Sequence, residues 1–188
     1  RRIGKYIIHD VNKKGKLDVS GVLRFSSNIG ASKIIEKISN KTYYSYLRSL
    51  GFGTKTNIKL PGEAKGILVA PEKWSQIQAA NISFGQGMSA TSLQLAKALS
   101  IIANGGIYIE PYLVKSITNS QGRILFENNS QPGKRVLSYA TSKKMRQLLK
   151  SVVEDGGGHK AQIDGVSVSG KTGTGQVAIK GGYSKKRF

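Results

Sequence analysis

Three short stretches of this 188-residue chain carry side chains whose types and spacing could do chemistry. The first is Ser26-Ser27-Asn28, at the start of a helical pattern. Ser and Asn are favoured helix caps, and capping alone would account for them. Projected into a cleft, the same group offers a hydroxyl that holds or relays a proton and an amide that orients a substrate amide. The second is Lys171-Thr172-Gly173-Thr174, which follows the alternating Val166-Ser167-Val168-Ser169. A strand of that kind can form one wall of a cleft and dock an extended substrate as an added strand. Gly173 lets the backbone approach closely, Lys171 supplies a positive field, and threonine hydroxyls can bind a carboxylate. The third is Ser83-Phe84-Gly85-Gln86-Gly87-Met88, a glycine-rich loop that reads by itself as a tight connection.

The second stretch also has a competing reading. Gly165 to Thr172 formally matches the phosphate-binding pattern G-x-x-x-x-G-K-[ST]. That motif needs a loop at the x positions and a long helix after them. Here the x residues are Val-Ser-Val-Ser, which favour a strand, and Gly-Thr-Gly follows, a poor helix start. The phosphate-binding reading is therefore the weaker one.

Periodicity supplies the elements that must hold these groups. A first helix is expected from Ser26 to about Ser39, with Ile34, Ile35 and Ile38 on one face. Thr42 is expected to cap a second, whose stripe is Tyr43, Tyr46, Leu47 and Leu50 and which Gly51 ends. Residues 51–70 are rich in Gly and Pro and read as an extended surface loop. Pro71 suits a first helical position ahead of Trp74, Ile77 and Gln78, and Asn81 to Ser89 is again punctuated by glycine. From Thr91 to Asn104 apolar residues are so dense that both faces of a central helix should be covered. Residues 107–137 carry strand signals around a turn at Asn119-Ser120-Gln121-Gly122. Ser138 should cap a last long helix along Met145, Leu148, Leu149, Val152 and Val153, ended by Gly156-Gly157-Gly158. Helices followed by mixed strands indicate an α+β fold.

Composition narrows the function classes. Thirty Lys+Arg against 10 Asp+Glu give a net charge of +20, with no cysteine and only His9 and His159. Disulfides, thiolate metal sites and cysteine nucleophiles are excluded, and a histidine-rich metal centre is not expected. No cofactor is expected either. The excess positive charge is spread as +8, +3, +6 and +3 over residues 1–50, 51–100, 101–150 and 151–188. Nucleic-acid binders concentrate charge on a stripe or arm, so nucleic acid is not an expected partner. A diffuse positive field suits anionic wall polymers or lipid surfaces, or is simply a solvated basic surface. No run approaches the ~18 apolar residues of a membrane span, and the start of the chain has no signal-peptide pattern.

The S-x-N and K-T-G elements, in that order, are two of the three motifs of penicillin-binding proteins and serine β-lactamases. The intervening text is more specific. Tyr43 to Gly66 and Trp74 to Gly106, with ISFGQGMSATSLQLAKALSIIANGG, resemble class B penicillin-binding proteins, and the SFGQG, T-x-LQLA and IANGG strings are more similar to the division-specific septal enzyme than to its elongation counterpart. The resemblance runs from about Gly15 onward. It implies a penicillin-binding, β-lactamase-like fold and a D,D-transpeptidase that cross-links peptidoglycan stem peptides ending in D-Ala-D-Ala and is acylated by β-lactams. In such an enzyme a serine attacks the carbonyl between two D-alanines, and a lysine one helical turn later activates it. By motif position, Ser26 would relay protons beside that lysine, Asn28 would hold the substrate amide and Lys171 would shape the field. Thr172 and Thr174, with Gly173 between them, would bind the terminal carboxylate, and the Thr174 N–H would give half of an oxyanion hole.

One element is missing. No serine in the chain has a lysine three residues on, so no S-x-x-K is present. The resemblance implies that residues 1–188 are a partial transpeptidase domain, short of its S-x-x-K segment and of its closing strands and helix, and inactive in isolation. It also implies a parent anchored in the cytoplasmic membrane, working on its periplasmic face among other cell-division proteins. A β-lactam-sensing binding domain and a polyanion-binding basic protein remain as alternatives.

Overall fold

The structure is a computed structural model, and it describes residues 1–129, 133–173, 175, 178–179 and 182–183, the last four by backbone alone. The chain divides into two compact units. The first holds Arg1–Tyr44, Val69–Met88 and Lys144–Phe188; the second holds Ser45–Leu68 and Ser89–Lys143.

The first unit opens with an antiparallel pair, β1 (Arg2–Ile3) and β2 (Tyr6–Ile7), in which Arg2 faces Ile7. Helix α1 (Val19–Arg24) follows, with Asp18 accepting from the Gly21 N–H at 2.7 Å as its cap. Its six residues are too few to display a period, and the sequence reading did not find it. Helix α2 spans Asn28–Ile35, shorter at both ends than expected. Of the expected face, Ile34 and Ile38 are exposed and Ile35 is half-buried, whereas Ser32 is buried. Ile29, together with Ile77 and Phe84, packs on a cluster of Ile3, Ile8 and Ala80. The buried face of α2 is thus set by Ile29 and Ser32 at i, i+3.

Helix α3 (Asn40–Ser49) begins earlier than expected because Ser39, not Thr42, accepts from a helix N–H, that of Thr42. Tyr43 and Tyr44 meet the Trp74 ring edge-on at 5.8 and 6.0 Å, and the Trp74 indole N–H donates to Val69 O at 2.8 Å. Burial pushes the Tyr43 phenol up to about 12. Tyr46, assigned to the stripe by spacing, is exposed; Tyr44 takes its place against the indole. Pro71 starts a single 3-10 turn, Pro71–Lys73, and Ser75 then caps α4 (Gln76–Ser83).

In the second unit, α5 (Ser92–Ala103) starts at a reciprocal capping box between Thr91 and Gln94. Gln94, Lys97, Ala98 and Ile101 are its buried face, whereas Leu95 and Leu99 are half exposed. The expectation that both faces are covered therefore fails among the described residues. Residues 51–70 are extended, as read, but not confined to the surface: Phe52, Thr56 and Ile58 are buried. The Thr56 N–H and hydroxyl both donate to one Glu63 oxygen, at 2.5 and 2.6 Å, and hold that carboxyl below its ordinary pKa. Strand β3 (Ile107–Tyr108) pairs with β6 (Lys134–Arg135), and β4 (Ser116–Thr118) with β5 (Ile124–Glu127). The β4–β5 turn falls where it is expected, with the Asn119 side chain accepting from the Gln121 and Arg123 N–H groups.

Helix α6 (Tyr139–Asp155) is capped by Ser138, as expected, and Ser142 donates to Ile102 O at 2.6 Å. Leu149, Val152 and Val153 are buried. Strands β7 (Ala178–Ile179) and β8 (Gly182–Tyr183) form a fourth antiparallel pair. Helices with small antiparallel strand pairs make the class α+β. No helix among the described residues is long and apolar enough to cross a membrane.

Candidate active site

Ser26 lies between two helices that meet end to end. At the end of α1 the N–H groups of Phe25, Ser26 and Ser27 donate to Gly21, Leu23 and Val22, which turns the chain sharply. Ser26 takes a left-handed backbone, φ +53, to complete that turn. A non-glycine residue held there costs on the order of 1 kcal/mol and persists only where its surroundings fix it. The strain separates two roles that the sequence runs together. Ser27 is the cap: it is buried, accepts from the Gly30 N–H at 2.9 Å and donates to Asp10 Oδ2 at 2.7 Å. Ser26 is released from capping and exposed.

The close approach of α1 and α2 depends on Gly30. A Cβ at this position would lie 2.4 Å from Val22 Cγ2. Val is stiff at χ1 and cannot swing aside cheaply. Gly30→Ala is therefore expected to destabilise the protein by about 1–3 kcal/mol, although alanine is the better helix former. Thermal melting of the variant checks this; an unchanged or raised midpoint contradicts it.

Lys171 arrives on a strap tied to α6. The Gly170 N–H donates to Leu149 O at 3.2 Å, and the Ser169 hydroxyl donates to Arg146 O at 3.2 Å. From there the Lys171 ammonium donates to Ser26 Oγ at 2.8 Å, to Thr172 O at 3.1 Å and to Thr172 Oγ1 at 3.2 Å. Burial holds the lysine pKa below its ordinary value. The Ser26–Lys171 contact joins residues 145 apart in sequence.

Asn28 is the first residue of α2, and its side-chain amide donates to His9 O at 3.1 Å. Ser26, Asn28, Lys171 and Thr172 all belong to the first unit, with Gly173 following in an open stretch where an added Cβ would meet nothing within 4 Å. Thr174 lies outside the described residues, and with it the expected oxyanion donor.

One expectation is corrected here. Residues 167–173 are extended but pair with no strand among the described residues; only the isolated bridge Ile163–Val166 touches the predicted one. Alternation alone cannot supply a neighbouring strand. No helix follows Lys171 among the described residues, and a phosphate-binding loop requires one. The Ser83–Met88 loop is the terminus of α4, where Gly85 and Gly87 have positive φ and the Gln86 N–H donates to Asn81 O.

His9 and Asp10 are site neighbours that the sequence reading missed. Both Asp10 oxygens are engaged at the mouth of α2, Oδ2 by Ser27 and Oδ1 by the Ile29 N–H at 2.9 Å. A carboxylate arriving from a separate segment leaves no spacing signal.

The sequence matches the family model for the penicillin-binding protein transpeptidase domain over residues 1–187. It is 35% identical to penicillin-binding protein PbpB of Mycolicibacterium smegmatis over 164 residues, 84% of this chain and 25% of that protein. It is also 35% identical to the probable peptidoglycan D,D-transpeptidase PbpC of Pseudomonas aeruginosa over 187 residues, 99% of this chain and 31% of that protein. Among solved structures, penicillin-binding protein 3 of Mycobacterium tuberculosis in complex with ampicillin superposes with a TM-score of 0.87 at 32% identity, covering 95% of this chain and 42% of that one. The chain thus spans only part of its relatives. Family match, identity and superposition agree: the chain belongs to the penicillin-binding protein transpeptidase domain family.

Proposed function

We propose that this chain supplies two of the three catalytic elements of a serine-type peptidoglycan D,D-transpeptidase, the third being an S-x-x-K element. The observation that carries the reading is the 2.8 Å bond from the Lys171 ammonium to Ser26 Oγ. An ammonium bonded to a hydroxyl makes a proton relay whose direction is set by charge. In the reaction the S-x-x-K serine attacks the carbonyl between two D-alanines, its proton passes toward the leaving amine through the lysine and Ser26, and the terminal D-alanine departs. The amine of a second stem peptide then attacks the ester and restores the serine. Lys171 and Thr172 bind the substrate's terminal carboxylate, and Asn28 orients its amide. β-Lactams acylate the same serine and bring their own carboxylate to Lys171. We place the protein on the periplasmic face of the cytoplasmic membrane, where peptidoglycan and division proteins are its partners.

A fluorescent penicillin tests the reading. The 188-residue chain by itself is expected to form no covalent adduct, because no serine in it has a lysine three residues on. A domain that unites the chain with an S-x-x-K element is expected to carry label that survives denaturation. Denaturation-resistant label on the chain alone, or none on the united domain, refutes the assignment.

A further inference from the structure

The geometry points to Asp10 as a positioning residue for the reaction proposed above, on which this inference rests: its carboxylate locks the Ser26-Ser27-Asn28 turn in the one arrangement that presents both Ser26 and Asn28.

Three bonds converge on this lock. Asp10 Oδ1 accepts from the Ile29 N–H at 2.9 Å, satisfying one of the unpaired donors in the first turn of α2. Asp10 Oδ2 accepts from the Ser27 hydroxyl at 2.7 Å. That fixes the Ser27 rotamer, so that its lone pair meets the Gly30 N–H at 2.9 Å. The next residue back, His9, accepts from the Asn28 amide through its carbonyl at 3.1 Å. The dipeptide His9-Asp10 therefore grips the element at Ser27, at Asn28 and at the helix backbone together.

Ser26 feels this grip through its backbone. It holds φ +53 without the freedom of glycine. Anchoring of Ser27 on one side and the α1 end on the other over-determines that conformation. If the Ser27 anchor is released, Ser26 can relax toward ordinary backbone angles, and its hydroxyl leaves the position 2.8 Å from the Lys171 ammonium. A displacement of about 1 Å at a reacting group is enough to cost ~100-fold in rate. The negative charge also stands at the positive end of α2 and so stabilises the helix start.

A domain uniting this chain with an S-x-x-K element tests the role. Acylation by a fluorescent penicillin is followed over a range of concentrations to separate the binding constant from the acylation rate, with thermal melting alongside. Asp10→Ala is expected to lower the saturating acylation rate at least ~10-fold, and Asp10→Asn, which keeps an acceptor for the Ile29 N–H, to recover part of it. Ser138→Ala, which removes the cap of α6, serves as the comparison: it should lower the melting point and leave the rate of the folded enzyme alone. An Asp10→Ala domain that acylates at the wild-type rate, or whose loss matches that of Ser138→Ala at equal destabilisation, overturns the positioning role. A wild-type domain that takes no label overturns the acyl-transfer reading instead, so the two failures are distinct.

Discussion

Replacing Lys171 with alanine is expected to slow β-lactam acylation of the assembled transpeptidase domain at least ~10-fold and as much as ~100-fold. The ammonium makes three hydrogen bonds, to Ser26 Oγ, Thr172 O and Thr172 Oγ1. A hydrogen bond to a charged group contributes roughly 1.5–3 kcal/mol, which is about one to two powers of ten in rate when the contact acts in the transition state. Arginine keeps the charge but replaces a compact ammonium with a planar fork, and is not expected to restore the rate. The same lysine sets a pH dependence. Burial disfavours its charged form, so it loses its proton at lower pH than the ~10.4 of a free lysine. As pH rises through that value the attraction for the ligand carboxylate disappears, so the acylation rate has an alkaline limb that sets in early. Labelling rates between pH 7 and 11 measure it. Acylation of Lys171→Ala within two-fold of wild type would sink the site assignment.

Much of this arrangement is legible in the sequence because helix ends have local causes. Thr91, Ser138 and the Asn119–Gly122 turn sit where their side-chain chemistry places them, since each bond spans four residues or fewer. Faces were less legible. Ile34 and Ile38 have helical spacing but are exposed, and Leu95 and Leu99 stand half exposed on a helix dense enough to suggest burial on every side. Spacing identifies a stripe; only the neighbouring elements decide whether it is covered. The S-x-N element is legible as a motif yet ambiguous as chemistry, because a cap and a proton relay need the same residue types. The positive φ of Ser26 resolves the ambiguity by giving capping to Ser27. The extended stretch before Lys171 shows the opposite limit, since a two-residue alternation fixes side-chain direction and says nothing of a partner strand.

Gln94 carries the second large effect, on stability. It is fully buried and uses its whole amide: Nε2 donates to Thr54 O at 2.7 Å and to Lys65 O at 2.9 Å, while Oε1 accepts from the Thr91 N–H at 2.9 Å. One side chain thus closes the cap of α5 and staples two points of the 51–70 segment to that helix. The staple leaves little room: Gly66 has φ +64, and a Cβ there would lie 2.4 Å from Ser89 O and 3.0 Å from Gln94 Oε1. Gln94→Ala removes the partner of two carbonyls and an N–H and leaves a cavity at a fully buried position. With each hydrogen bond contributing ~0.5–1.5 kcal/mol net and a cavity cost added, the expected destabilisation is about 3–5 kcal/mol. At ~2–4 °C per kcal/mol for a chain of this size, the melting point should fall by about 10 °C. Gln94→Met separates the causes, since it restores the volume and none of the bonds. It is expected to recover only the smaller, cavity part of the loss, and a melting point equal to wild type would show that Gln94 acts by filling space and that the three bonds contribute nothing. Leu95→Ala, one residue along on the half-exposed face, should shift the midpoint by far less.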